Sequence, residues 1–354
     1  NGTLDLDGIT DIEANGFFSC PRGNLDLESE LDINCTDVAT QWIHNNGKVR
    51  ILGSGSHIML YPNNATFFNI DLAKSSGHDV KLRESIKILG TLDLTGANDY
   101  WIVDANGASG NVTMTMGDDN NQATIDSDQA DKLRFIPHST REITITGHST
   151  LKPCLVVGAD WMWDYAAEGA PIKLANMNFD PDIVTHSSGS HLAKITLTGD
   201  CEFDNFTLSA GDVLDLNGQR AEFSGNLSNQ STGSGNGIDY DGMLYFTGSG
   251  RMDSDGASRD LDKLTVVQQG TSTSDADLAG DNLIKTFFYN QPGVTQKNAR
   301  GAIQTIIGTG TATCGSDESP DYTNLSVATG GTLDGSSSTL TVAGDFTTSG
   351  GLIG

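Results

Sequence analysis

Leu4-Asp5-Leu6-Asp7-Gly8, Leu92-Asp93-Leu94-Thr95-Gly96 and Leu214-Asp215-Leu216-Asn217-Gly218 are three copies of one phrase, and Leu25-Asp26-Leu27-Glu28 is a variant without the glycine. Each alternates apolar and polar residues and then turns, the pattern of a strand with one buried face closed by a tight bend. Recurrence along the chain predicts stacked, similar units. In such units the leucines face inward, the aspartate faces outward and the glycine takes the corner.

A longer internal match carries the same message. Placed without gaps, Asn205–Ser228 and Asn324–Thr347 align Asn205 with Asn324, Gly211 with Gly330, Leu214 with Leu333, Asp215 with Asp334 and Gly225 with Gly344. Apolar positions keep phase as well: Phe206 meets Leu325, Leu208 meets Val327 and Phe223 meets Val342. The offset between the two stretches is close to five coils if one coil takes about 24 residues. The expected fold is all-β: an elongated parallel β-helix (β-solenoid) with loop-rich insertions. A β-sandwich array built from hairpins would use similar short strands. The solenoid is preferred because the repeated phrase is one strand and one turn.

Composition fits this reading. The chain has 354 residues with 42 glycines, and Asn, Asp, Ser and Thr crowd the segments between apolar runs, so turns are many and strands short. Along the chain, residues 1–150 read as solenoid coils, with strands such as Lys48–Leu52, His57–Tyr61, Ser85–Leu89, Asn111–Met116 and Glu142–Thr146. Residues 151–190, with Trp161, Trp163, Tyr165 and three prolines, read as a loop-rich aromatic excursion. Coils return at 191–228. Residues 229–320 read as an irregular insertion or lengthened coils, with short helices expected at Ala276–Tyr289 and Gln296–Ile307, and a coil resumes at 321–354. The chain begins with Asn and ends inside another turn-and-strand pattern, Ser349–Gly354, which reads as an internal segment of a longer protein.

With 46 acidic and 20 basic residues the net charge is −26. Such a field repels nucleic acid and anionic membranes, and salt screens its self-repulsion. No run of residues is long and apolar enough for a membrane span. The five cysteines (Cys20, Cys35, Cys154, Cys201, Cys314) form no C-x-x-C pair and read as small buried hydrophobes, although Cys20 and Cys35 could face each other from neighbouring strands.

Candidate chemistry is sparse. Outward aspartates stacked coil on coil would sit about 5 Å apart and repel, so either the register staggers them or a cation lies between them. Calcium suits such oxygen ligands; Asp239-Tyr240-Asp241-Gly242 and Asp253-Ser254-Asp255-Gly256 resemble the start of a calcium loop but lack its downstream ligands. Asp200 with Glu202 or Asp204, and Asp180 with Asp182, are imaginable glycosidase pairs, but nothing in the spacing selects one. His186 and His191 are the only neighbouring histidines, and no hydrolase, zincin or P-loop pattern occurs. Trp161, Trp163 and Tyr165 would share one face of a strand. They are candidates for contact with a glycan or with a subunit, packing being the commoner use of such a cluster. Eight Asn-x-Ser/Thr triplets follow from an Asn- and Thr-rich composition.

The phrase Asn324–Leu333, followed by Leu340–Thr347, resembles stretches of large β-helical virion structural proteins of marine tailed phages and is similar to β-helical bacterial adhesins. The match covers about thirty residues, its general style most of the chain. The resemblance implies a homotrimeric fibre, spike or capsid appendage at the virion surface or outside the cell. It further implies host-surface attachment, other virion proteins and a cell-surface glycan as partners, and no enzymatic activity. It carries over no site residues. A polysaccharide depolymerase on the same scaffold and a bacterial surface adhesin or S-layer protein are the rival expectations.

Overall fold

The computed structural model describes residues 2–53, 57–73, 79–95, 100–129, 132–164, 171–186, 194–209, 211–231, 237–239, 242–247, 252–253, 264–268, 284–289, 302–308, 310–313, 321–322, 324–335 and 341–354. The chain forms two compact units, residues 1–195 and 196–354, and both are built from parallel β-solenoid coils.

In the first unit the strands fall on three faces in strict rotation. The first face stacks Thr3–Leu6, Asn24–Leu27, Lys48–Ile51, Asn69–Leu72, Thr91–Asp93, Thr124–Ser127, Cys154–Gly158 and Met177–Phe179. The second stacks Thr10–Ile12, Leu31–Ile33, His57–Tyr61, Asp79–Leu82, Trp101–Asp104 and Leu133–Ile136. On the third, the pair Phe18–Ser19 and Trp42–Ile43 is followed by Thr66–Phe67, Ile86–Ile88, Val112–Met116, Ile143–Gly147 and Ile172–Ala175. Each strand pairs in parallel with its counterpart one coil on, about 4.8 Å away, so backbone donors and acceptors are satisfied along the stack.

The alternation read in the sequence is what closes the coil. Leu25, Val49, Ile70, Leu92, Ile125 and Val156 form one inward column, all at most 5% exposed. A one-residue slip would send the neighbouring aspartates into this core. Burial of each such side chain contributes about 1.5–3 kcal/mol, so the register is held at every rung. The copies at 4–6 and 25–27 therefore stack directly, Leu4 on Leu25, Asp5 on Asp26 and Leu6 on Leu27.

Asparagine makes the corners. Asn45, Asn63, Asn176 and Asn217 all have φ between 48° and 53°, a left-handed conformation that asparagine tolerates better than most residues. Each also donates its side-chain amide to a carbonyl of the preceding coil: Cys20, Cys35, Gly147 and Leu197 respectively, at 2.7–3.4 Å. A second set accepts instead. The Oδ1 atoms of Asn69, Asn111, Asn205 and Asn324 take the backbone N–H of Thr91, Glu142, Asn226 and Asp345, one coil later, at 2.6–2.9 Å. Several of the Asn-x-Ser/Thr triplets are thus corner units: Asn111-Val112-Thr113 and Asn205-Phe206-Thr207 supply a latch, an inward residue and an outward residue.

Several expectations change. Where residues 151–190 are described, they hold coil strands and not an excursion. Cys154–Gly158, Trp161–Asp164, Ile172–Ala175, Met177–Phe179 and Ile183–His186 are coil strands, because apolar alternation persists between the prolines. In the second unit Ile284–Tyr289 and Ala302–Ile307 are strands where helices were expected. They pair with each other and extend a ladder begun by Leu264–Gln268; β-branched and aromatic residues favour that outcome. The described pairings in this region, Gly242 with Leu264, Thr265 with Thr286 and Ile284 with Ala302, are no longer than an ordinary coil, so the reading of lengthened coils at 229–320 fails where strands are described. The internal match is real in pattern but shifted around the coil. Leu325–Val327 continues the ladder of Arg220–Phe223, whereas Phe206–Leu208 belongs to the ladder of Leu227–Asn229. The offset between the two matching stretches is therefore not a whole number of coils. Likewise Leu214-Asp215 stacks on Ile238-Asp239 in a sheet distinct from that ladder.

Candidate functional site

The outward aspartates do not stagger. On the first face of the first unit the column runs Asp5, Asp26, Arg50, Asp71, Asp93, Asp126, each directly beside the next. The cation between carboxylates is here a guanidinium. Arg50 donates through Nε (2.8 Å) and Nη2 to the two oxygens of Asp26, which is only 5% exposed. Its hydrogen bonds to Asp26 outweigh its own desolvation, and with the charges of Asp26, Asp71 and Asp5 they hold the Arg50 pKa above its ordinary value. Two residues before Arg50 on the same strand, Lys48 Nζ lies 3.2 Å from Asp71. Higher in the column no such cation intervenes. Asp93 accepts from Thr95 N and Oγ1 at 3.0 and 2.6 Å. Asp126, burdened by burial and by the charge of Asp93, has a raised pKa.

The same logic recurs elsewhere. On the second face Asp11 stacks on Asp32, whose pKa is raised by burial and by Asp11, and Asn34 donates to Asp11 at 3.3 Å. Arg83 bridges Tyr61 Oη and Asp104, both at 3.1 Å, with Asp104 3% exposed. In the second unit Glu202 stacks on Glu222; burial and Glu222 raise its pKa while Arg220 opposes them. Arg220 pairs with Glu222 and lies over the Tyr245 ring at 4.1 Å.

Of the imagined acid–base residues, Asp200 and Asp204 serve as latches. Asp200 accepts the backbone N–H of Arg220 at 3.0 Å, and Asp204 accepts the Ser224 hydroxyl at 2.8 Å. Asp182 donates its backbone N–H to Asp160 at 3.3 Å. Residues 240, 241 and 254–256 of the calcium-like phrases lie outside the described residues, as does His191. Among the described residues no group of three His, Cys, Asp or Glu is placed to hold a metal ion. No helix among them is long and apolar enough to cross a membrane. Cys20, Cys35, Cys154 and Cys201 are buried, reduced thiols, and burial pushes the Cys20 thiol up to about 12; such thiols are inert. Cys314 lies outside the described residues.

Trp161 and Trp163 stand on the strand Trp161–Asp164, which pairs with Ile183–His186. The ladder sets Trp161 beside Ile183 and Trp163 beside Thr185, which are 1% and 0% exposed. Tyr165 lies outside the described residues.

What the motif search missed is a local change of coil length. In the first unit Thr3 pairs with Asn24, Asn24 with Lys48 and Lys48 with Asn69, which sets the ordinary length of a coil. The coils from Thr91 to its partner Thr124, and from Thr124 to its partner Leu155, are both clearly longer. The additional residues project at two corners. At one, His148 Nε2 meets Asp119 Oδ1 at 2.7 Å, Lys152 Nζ donates to the Asp119 carbonyl, and Leu151 stands 92% exposed at the tip. At the other, Arg141 donates to the carbonyls of Ala105 and Asn106 at 3.3 and 3.2 Å. Longer-than-coil spacing between alternating segments was the available signal. Insertions on a repeat scaffold commonly form its binding face.

Comparison with protein-family models, with curated proteins and with solved structures gives no match to the chain.

Proposed function

We propose that the chain is a structural and adhesive part of a virion fibre, spike or capsid appendage that presents a host-attachment surface and catalyses nothing itself. The reading is supported chiefly by what its carboxylates do. Asp26, Asp104, Asp200 and Asp204 all bind groups of an adjacent coil, which is how a stack resists slippage. A glycosidase would need two carboxyl groups facing one cleft at a set separation. The corner loops of the two long coils are the surface best placed to touch a receptor.

Incubation of the purified chain with host cells and with their isolated surface polysaccharide tests the proposal. We expect saturable cell binding that competes with phage adsorption, and no release of reducing ends. Polysaccharide cleavage would make it a depolymerase. Immunogold labelling of bacterial envelopes and not of particles would make it an adhesin.

A further inference from the structure

The three faces of the first unit differ sharply in charge. Outward positions of the first face carry Asp5, Asp26, Asp71, Asp93 and Asp126 against Lys48 and Arg50, and those of the second carry Asp11, Asp32, Asp79 and Asp104 against His57, Lys81 and Arg134, so both faces keep an excess of carboxylates. Among the described residues, the strands of the third face carry none. They present Ser19, Ile43, Thr66, Lys87, Thr113, Thr115, Thr144, Thr146 and Lys173. The register gathers these into two rows: Thr66, Lys87, Thr115, Thr146 in one, and Thr113, Thr144, Lys173 in the other. In a chain of net charge −26, the stretch of sheet from Thr66–Phe67 to Ile172–Ala175 is free of carboxylates, with two lysines and a regular array of threonines; farther along, the same sheet carries Asp215 on Val213–Asp215. Carboxylates stand at its rim, where Glu142 lies 2.7 Å from Lys173 and the charge of Lys87 reaches Asp118.

We infer that this third face, residues 66–175, is where a second copy of the chain packs, sheet against sheet. Two copies carrying this charge repel through their aspartate faces, and the third face is the approach with the least like charge. Threonine methyls and hydroxyls from two such sheets interdigitate without burying a carboxylate. Lys87 of each copy then reaches toward the acidic rim of the other, while Lys173 stays paired with Glu142 of its own chain. Five short strands about 4.8 Å apart give a flat area of roughly 350 Å² per copy, below the roughly 800 Å² of a standard stable interface. Association is accordingly weak, in the micromolar range or above, and strengthens with salt as the remaining surface is screened. The inference deepens the expected self-association and does not depend on the virion reading.

Sedimentation velocity of the whole chain, from about 2 to 200 µM and at 50 and 500 mM NaCl, tests it. The expected result is a concentration-dependent shift to an oligomer, larger at the higher salt. Thr115→Glu with Thr144→Glu should abolish that shift while circular dichroism stays unchanged. A chain that remains monomeric at 200 µM in both salts overturns the inference, as does a folded double variant that still associates. Should the double variant fail to fold, single cysteines decide instead. Thr115→Cys should cross-link between copies with a short bifunctional thiol reagent and Asp93→Cys, on the first face, should not; equal cross-linking of both, measured against the unsubstituted chain, overturns it.

Discussion

Replacing Arg50 by methionine tests how the charge column is held together. Methionine keeps most of the packing along the sheet but removes the guanidinium from between Asp26 and Asp71. Asp26 then loses its guanidinium partner at 5% exposure, with Asp5 on the adjoining rung. Breaking a buried pair on one side costs about 3–5 kcal/mol. The Arg50 side chain is 31% exposed, so water already screens part of the interaction, and about 2–4 kcal/mol is the reasoned figure. Solenoids open locally, so the assay is hydrogen exchange of peptides covering Asn24–Leu27 and Lys48–Ile51. Their protection should fall by about 30- to 1,000-fold, at 1.36 kcal/mol per decade, while Cys154–Gly158 is unchanged. Adding Asp26→Leu should restore most of the protection, since an apolar replacement of both partners is often neutral. A loss below about threefold for Arg50→Met, or a double variant worse than the single, would refute the reasoning.

Three further expectations follow from the same physics. Asp126→Asn should raise the melting temperature at pH 7, by the equivalent of about 0.5 kcal/mol for one like-charge pair. Because the Asp126 pKa is raised in the folded chain, protonation favours folding, so the advantage should shrink as pH falls through that raised value toward the ordinary carboxylate range; an advantage that grows on acidification contradicts the sign. Asn217→Ala should destabilise the second unit by about 2 kcal/mol, combining left-handed strain with the lost bond to the Leu197 carbonyl, and Asn217→Gly by less, as read from urea midpoints. Phe223→Ala, at the centre of the stacked Phe203, Phe223 and Phe246 rings, should cost about 3–5 kcal/mol, visible as lost exchange protection in strands 201–203 and 242–246.

Leu-Asp-Leu was legible as a building unit because alternation is a local property, and the inward leucines alone select one register. The stacking of Leu4 on Leu25 therefore followed from the repeat. The answer to the like-charge question was not legible, since the cation comes from Lys48-Val49-Arg50-Ile51, a strand that shares the inward pattern but not the phrase. Phase around the coil was also hidden. Leu214-Asp215-Leu216 looks like Leu4-Asp5-Leu6, yet so short a phrase fits any face of a three-sided coil. The apolar run at 284–289 misled for a related reason, because periodicity cannot separate a short buried strand from a helical turn. Trp161, Trp163 and Tyr165 drew attention by composition, whereas the projecting loops at 117–123 and 147–153 contain no conspicuous motif and became visible only through the ladder that measures coil length.

That ladder is the centre of the account and can be tested by disulfide trapping. Thr91 and Thr124 are direct partners on adjacent coils despite the long stretch of chain between them, and neighbouring strands bring Cα atoms within the roughly 4.4–6.8 Å that a disulfide spans. A uniform coil of about 24 residues would instead pair Thr91 with Thr115, which the structure places on the third face. The account predicts that Thr91→Cys with Thr124→Cys closes a disulfide on mild oxidation, seen by mass spectrometry of the linked peptides, and that Thr91→Cys with Thr115→Cys does not. Closure of the second pair and not the first would contradict it.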